Sequence, residues 1–331
     1  MRILLPPLLV GLLSTPALAA PVTIENCGRT LTFEAAPTRA VSMGQGMTEI
    51  AYTLGLAPSI AGTAIWIGPL PAAIAEDDAG IPHLSESGSP SFESVLSVRP
   101  DLVMTEWYAD VEPGSGRVAS MEQFDDFRLP VYVNPGECAK SDFSTGDGAR
   151  EVAWTTDLIY RTVDEMAAIF AVPDRGAALT AALRTREAEA EGAAVGAGRD
   201  VKVVYWFSSP EIDGEAYVAG ALGAPGYMSK VVGLTNVITS NEEWPLVGWE
   251  TIAAADPDVI VLGEMDRRRY AADSAASKRQ FLETDPVARN ITAVREGRIV
   301  VMDAQGMNGT IRTFDAIDTL AAALRGMDLA P

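Results

Sequence analysis

The chain has 331 residues, room for one large or two ordinary domains, and 48% of them are hydrophobic, which excludes disorder as its organising state. Against 45 acidic residues stand only 25 basic ones, a formal net charge of −20. That balance excludes the positive face that nucleic acid requires and favours either a solvated acidic surface or a basic docking partner.

In chain order, the opening "MRILLPPLLVGLLSTPALAAP" has a basic Arg2, an apolar run through Leu13, and Ala17 and Ala19 at the −3/−1 spacing of a cleavage site. This predicts a secretory signal peptide over residues 1–20 and export of the mature chain. The run is too short to span a bilayer, and no later segment reaches about 18 uninterrupted apolar residues. No cysteine stands at the cleavage point, so no lipid anchor is expected. In an oxidising compartment Cys27 and Cys138 can form a disulfide, and we expect them to; two free buried thiols are the alternative.

Residues 21–147 read as an α/β lobe. Strands are predicted over "TLTF" (Thr30–Phe33), Arg39–Met43, Ser59–Ala64, "DLVMTE" and Val131–Asn134. Between them lie a helix from near Thr48 ended by Gly55, a short helix Phe92–Val98 capped by Ser91, and a helix near Val118–Phe127. Short apolar strands alternating with helices predict a largely parallel sheet covered on both faces.

A polar, Gly-rich stretch leads into "REVAWTTDLIYRTVDEMAAIFAV", where Val152, Leu158, Ile159, Val163, Met166, Ile169 and Phe170 recur at helical spacing. A long connecting helix is predicted over 148–172; its run of more than twenty residues without Pro or Gly would reach about 33 Å at 1.5 Å per residue, enough to join two lobes. Residues 173–331 form the second lobe, with strands Val201–Phe207, "DVIVLG" and Arg298–Met302 and a last helix near Arg312–Leu324. The fold class is therefore α/β, two Rossmann-like lobes with largely parallel sheets joined by a single long interdomain helix.

One sentence is written twice: "FESVLSVRPDLV" and "WETIAAADPDVI", at a constant offset of 157 residues from Phe92 to Trp249. Each copy has an aromatic residue, a glutamate, a helix ended before Pro, then Asp and an apolar strand. Two copies of one supersecondary unit explain this without any function. Proline pushes its predecessor out of the helical region, and a first-turn glutamate complements the helix dipole by about 0.3–1 kcal/mol.

These motifs also resemble the periplasmic binding proteins for ferric siderophores, haem and cobalamin, whose lobes read like P-N-x-E-x-I…P-D-L-V and W…E-x-I…P-D-V-I-V. This chain has "SPSFESVLSVRPDLVM" and "WPLVGWETIAAADPDVIVL", and "RAVSMGQGMTEIAYTLGL" resembles the family's first strand and helix. The likeness covers nearly all of the mature chain; Ser91 departs from the family's usual Asn. It implies a substrate-binding protein of an ABC importer, monomeric, whose glutamate on each lobe, here Glu93 and Glu250, docks onto arginines of the inner-membrane permease subunits. A carboxylate accepts two bonds from a guanidinium in this way.

In open α/β sheets ligands sit beyond the carboxyl ends of the strands. That rule nominates Gln45, Trp66, Trp107, Tyr108, Tyr205, Trp206 with Phe207, Trp244, Gln305, Asn308 and Arg312 as ligand-binding residues. For single tryptophans ordinary packing competes with this reading; together they suggest an aromatic cleft for a bulky, partly flat ligand. With one histidine, His83, and no clustered His/Cys spacing, no directly bound metal ion or other cofactor is expected, and His83 reads as a loop residue. Iron would arrive already chelated. The ligand expectation is a ferric siderophore, then a corrinoid, then haem, for which axial ligands are few: His83, Tyr108 or Tyr217.

No catalytic residue is nominated. "GQGMTE" sits where a dinucleotide fingerprint would but has Glu49 in place of the third glycine, which leaves an enzyme as the weakest reading. A ligand sensor that hands its cargo to a receptor is the remaining alternative.

Overall fold

The computed structural model describes residues 21–114, 116–141, 147–192, 200–327 and 329; the expected signal peptide lies outside the described residues. A hairpin of β1 (Val22–Asn26) and β2 (Arg29–Phe33) precedes the first lobe. There β3 (Ala40–Met43), β4 (Ile60–Ala64), β5 (His83–Ser85), β6 (Leu102–Thr105) and β7 (Val131–Val133) form a wholly parallel sheet in the order β5-β4-β3-β6-β7. The helices of this part are α1 (Gln45–Thr53), α2 (Phe92–Ser97), α3 (Met121–Asp126), α4 (Pro135–Cys138) and α5 (Asp157–Ile169).

Next comes α6 (Pro173–Gly192), then the second sheet: β8 (Val201–Ser208), β9 (Ala216–Val218), β10 (Leu234–Asn236), β11 (Leu246–Val247), β12 (Val259–Glu264) and β13 (Ile299–Asp303). Here β10, β8, β12 and β13 run parallel, while β9 and β11 are antiparallel. The remaining helices are α7 (Ala224–Val232), α8 (Trp249–Ala255), α9 (Ala275–Thr284), α10 (Thr292–Arg295) and α11 (Thr313–Arg325).

Alternation along the strands fills a core on each face of each sheet. Val41, Met43, Val103 and Val133 pack with Val95 of α2 and Phe124 of α3, while Ala40, Leu102, Met104 and Tyr132 join α1 and α5. In the second sheet Val203, Tyr205 and Val261 meet α7 and α11, and Val204, Trp206 and Ile260 meet α8 and α9.

The two-lobe α/β architecture is as the sequence predicts, but the long helix lies elsewhere. Instead of a helix over 148–172, residues 149–154 are non-helical and bond to the second lobe: Arg150 N to Asn241 O at 2.9 Å, Trp154 N to Leu222 O at 2.8 Å, and Glu243 N to Gly148 O at 2.8 Å. Val152, expected on a buried helix face, is 73% exposed. Backbone pairing across the lobes overrides helical periodicity there, and only the 13 residues of α5 form a helix.

The crossing is made by the 20-residue α6, about 30 Å long at 1.5 Å per residue. Arg175 near its start donates to Leu54 O of the first lobe, and Arg186 near its end holds Asp315 and Asp318 of α11. Leu183 and Ala190 on the same helix belong to different lobes' cores.

The repeated Pro-Asp does the same work in both copies. Asp101 accepts from the backbone N–H of Thr38 and Arg39, and Asp258 accepts from that of Lys202, in each case at the entry to the neighbouring strand. The residues before the prolines, Arg99 and Asp256, both take left-handed backbone, with φ of 49° and 44°. Ser91 caps α2 as expected, accepting from Ser94 N.

The disulfide joins Cys27, in the hairpin's turn, to Cys138 at the end of α4. Asn26 beside it clasps both the N–H and the carbonyl of Val133 on β7.

Candidate functional site

A cavity of about 540 Å³ lies between the lobes. The first lobe contributes Ile65, Ile67, the 87–89 loop and Trp107; the second contributes Phe207, Ser208, Tyr217, Trp244, Tyr270 and Asn308. Its floor is a small interlobe apolar cluster in which Ile67 meets Met265, Ala304 and Phe207. Phe207 and Trp244 pack together within the second lobe, ring centroids 4.5 Å apart and planes tilted by 33°. One tryptophan from each lobe thus reaches the same cavity.

Of the ten residues nominated from strand ends, Trp107, Trp244 and Asn308 line the cavity, and Phe207 does as well. Tyr205 and Trp206 do not, because β8 runs on through Ser208 and both side chains are fully buried, pointing to opposite faces. Tyr205 bonds Ser229 Oγ, and Trp206 packs edge-on to Trp249 and Phe281. Their expected place on the cleft wall is corrected to the cores. Trp66 stacks on His83 at 4.8 Å, outside the lining, and the half-buried Tyr108 also lies outside it, its N–H on Glu137. His83 is bonded at both ring nitrogens, to Asp78 and Glu86; burial pulls its pKa down, but the two carboxylates outweigh it and the net shift is upward.

Gln45, Gln305 and Arg312 are also moved, from ligand wall to interlobe joint. Arg312 donates to Glu49 from Nε (2.9 Å) and Nη2 (2.5 Å), to Pro69 O, and to Asp303. Gln45 donates to Glu49 and accepts from the N–H of Ile67 and Gly68. Gln305 reaches the fully buried Glu106, which also accepts from Gly46 N at 2.7 Å. The helix N-terminus of α1 therefore has a protein carboxylate where a ligand was expected.

The glycines of "GQG" fit this joint. A Cβ on Gly44, at φ 107°, would sit 2.3 Å from Glu106 Cβ, and one on Gly46 would sit 2.6 Å from Thr310 Cγ2. Burial lifts the Glu106 carboxyl to about 8, so it is largely protonated at neutral pH.

Several site residues went unnominated. Lys140 pairs with Glu137 at 2.5 Å, and Arg150 pairs across the lobes with Glu243 at 2.5 Å while also bonding Gly136 O. Both pairs are buried in the cavity wall, and desolvation raises the Glu137 carboxyl against the pull of Lys140. Beneath the cavity, Lys278 of α9 donates to the carbonyls of Trp206, Phe207 and Gly263, where β8 and β12 end; burial pulls its amine down to about 7.

The loop after β12 brings Arg267, Arg269 and Tyr270 to the same cavity. The strand-end rule, applied to β12, would have found them. Among the described residues no group of three or more His, Cys, Asp or Glu could hold a metal ion.

Glu93 and Glu250 are both exposed in the first turns of α2 and α8. Their repeat partners pack inward: Phe92 edge-on to Phe124 and Phe127, Trp249 against Trp206.

Comparison with known proteins places this geometry. A family model described as periplasmic binding protein matches residues 41–305. A cobalamin-binding protein of Halobacterium salinarum is 24% identical over 299 residues, covering 88% of this chain and 70% of the relative. A periplasmic binding protein from Veillonella parvula superposes with a TM-score of 0.75 at 22% identity, over 93% of this chain and 99% of that one. An ABC-type Fe3+-hydroxamate transport system protein from Saccharomonospora viridis gives 0.71 at 25% identity, over 92% and 99%.

Proposed function

The chain belongs to the periplasmic binding protein family, and on that premise we propose that it captures a bulky metal chelate, a ferric siderophore, between its lobes and delivers it to the permease of an ABC importer. The observation that carries this reading is the interlobe cavity of about 540 Å³ with Trp107 from one lobe and Trp244 from the other. Such walls suit a large ligand with flat, partly apolar surfaces, and iron enters already chelated, with no resident cofactor. The loaded protein, a monomer in the periplasm after removal of its leader, docks through Glu93 and Glu250, one exposed carboxylate per lobe, onto permease arginines.

A corrinoid cargo is the second reading, favoured by the cobalamin-binding relative, which aligns with 88% of this chain. Native mass spectrometry of protein purified from its own host separates the two: an iron-loaded chelate supports the first, a corrinoid the second. An empty protein whose tryptophan fluorescence responds to no ferric siderophore, cobalamin or haem would overturn both.

A further inference from the structure

The cavity wall departs from the charge of the chain. The whole molecule carries −20, yet the cavity is lined by five cationic and four acidic side chains. Protein partners neutralise most of them. Lys140 and Arg150 have Glu137 and Glu243 at 2.5 Å. Asp110 is held by Ser89 and Thr105, and burial raises its carboxyl. Three arginines of the lining are paired loosely or not at all: Arg117 from the first lobe, whose contact with Asp147 is 3.9 Å, and from the second Arg267, 3.7 Å from Asp273, and Arg269.

The loop that bears the last two is built to present them. Asp273, fully buried, accepts from the backbone N–H of Arg269 and Tyr270 and from Ser208 Oγ. Arg268 between them takes left-handed backbone at φ 39° and pairs with Glu264, outside the cavity lining. Arg267 Nε is 3.7 Å from Asp273, too long for a hydrogen bond, and is a buried donor without an acceptor. Among the described residues lining the cavity it is the one side-chain atom in that state. Arg269 rests over the Tyr270 ring at 5.2 Å and has no carboxylate within 4.0 Å among the described residues. A guanidinium whose donors are not all met favours an acceptor on the cargo.

We propose that this cleft selects an anionic chelate, one presenting ionised carboxylate or catecholate oxygens to Arg267 and Arg269 on one side and to Arg117 on the other. The inference rests on the importer reading and narrows its cargo. Guanidinium forks bind such paired oxygens bidentately, and in a partly desolvated cleft these bonds are stronger than in water. A neutral chelate would cover Arg269 without supplying a counter-charge and would add nothing to the loose pairs of Arg117 and Arg267.

The test compares three probes on the purified protein by tryptophan quenching: a trianionic ferric tris-catecholate, a neutral ferric tris-hydroxamate, and cyanocobalamin. The expected order puts the tris-catecholate at least about tenfold tighter than either neutral probe, weakening as salt is raised. Arg269→Gln, at an exposed position where folding is not at stake, should weaken the tris-catecholate by about tenfold and leave the neutral probes within about threefold. Arg117→Gln should act in the same direction. Equal or tighter binding of a neutral probe, or arginine variants without effect, would overturn the charge selection and leave the importer reading standing. Binding of none of the three would overturn the charge selection, and failure of haem as well would take the importer reading with it.

Discussion

Arg312, just before α11, grips Glu49 of α1 through two guanidinium nitrogens, at 2.9 and 2.5 Å, across the boundary between the lobes. Both side chains are almost wholly buried. Removing one partner strands the other charge, so Arg312→Met or Glu49→Met alone should lower unfolding free energy by about 3–5 kcal/mol, while the two together should recover much of the loss. Chemical denaturation of the four proteins of the cycle measures this. A loss under about 1 kcal/mol for the single variants would mean that the pair does not hold the lobes together.

Glu106 makes the joint sensitive to pH. Its carboxyl titrates at about 8 when folded against an ordinary 4.5, because burial disfavours the ion. Between those values the folded chain holds a proton that the unfolded chain has released. The contribution is therefore fully present below about pH 4.5 and is lost as pH rises through about 8, a change of up to about 4–5 kcal/mol. Glu106→Gln should flatten this dependence. Denaturation at about pH 5 and 9 reads it; parallel profiles for variant and parent would show that Glu106 is not the group responsible.

The Cys27–Cys138 bridge closes a loop with a sequence separation of 111. A loop that long stabilises by up to about 4.7 kcal/mol in the chain-entropy model, and in practice by about 2–4. Cys27→Ser with Cys138→Ser should lower the melting temperature and loosen the β1–β2 hairpin first. Hydrogen exchange at Ile24 and Leu31, which pair across the hairpin, would show whether the loss is local.

Docking should be separable from capture. Replacing Glu93 and Glu250 with Ala should reduce uptake through the cognate permease by about tenfold or more, with ligand affinity unchanged, because both carboxylates lie outside the cavity. Uptake in cells and quenching on the purified variant measure the two separately. Full transport by the double variant would end the docking assignment.

Much of the fold was legible because its strands are short, apolar and regularly interrupted. Ser91 could be read as a cap and Trp107 as a strand-end residue from local pattern alone. Tyr205 and Trp206 were misplaced because hydrophobicity does not mark where a buried strand stops; β8 continues to Ser208 and turns both rings into the cores. Helical periodicity carries Arg150 into a helix, but its backbone N–H is committed to Asn241. Gln45, Gln305 and Arg312 were found as polar strand-end residues, but their partners are set by how the lobes meet: Arg312 and Glu49 are 263 residues apart. Arg267 and Arg269 were within reach, three successive arginines after an apolar strand in an acidic chain.

The Ile67 carbonyl accepts from the backbone N–H of both Asp266 and Arg267, at 3.0 and 3.1 Å. One oxygen of the first lobe thus anchors the very loop that carries the second lobe's arginines. Because the fastening is main chain to main chain, no side-chain exchange short of proline erases it. On the charge-selection proposal, exchanging the Arg269 side chain would retune the cleft while this interlobe attachment stays the same.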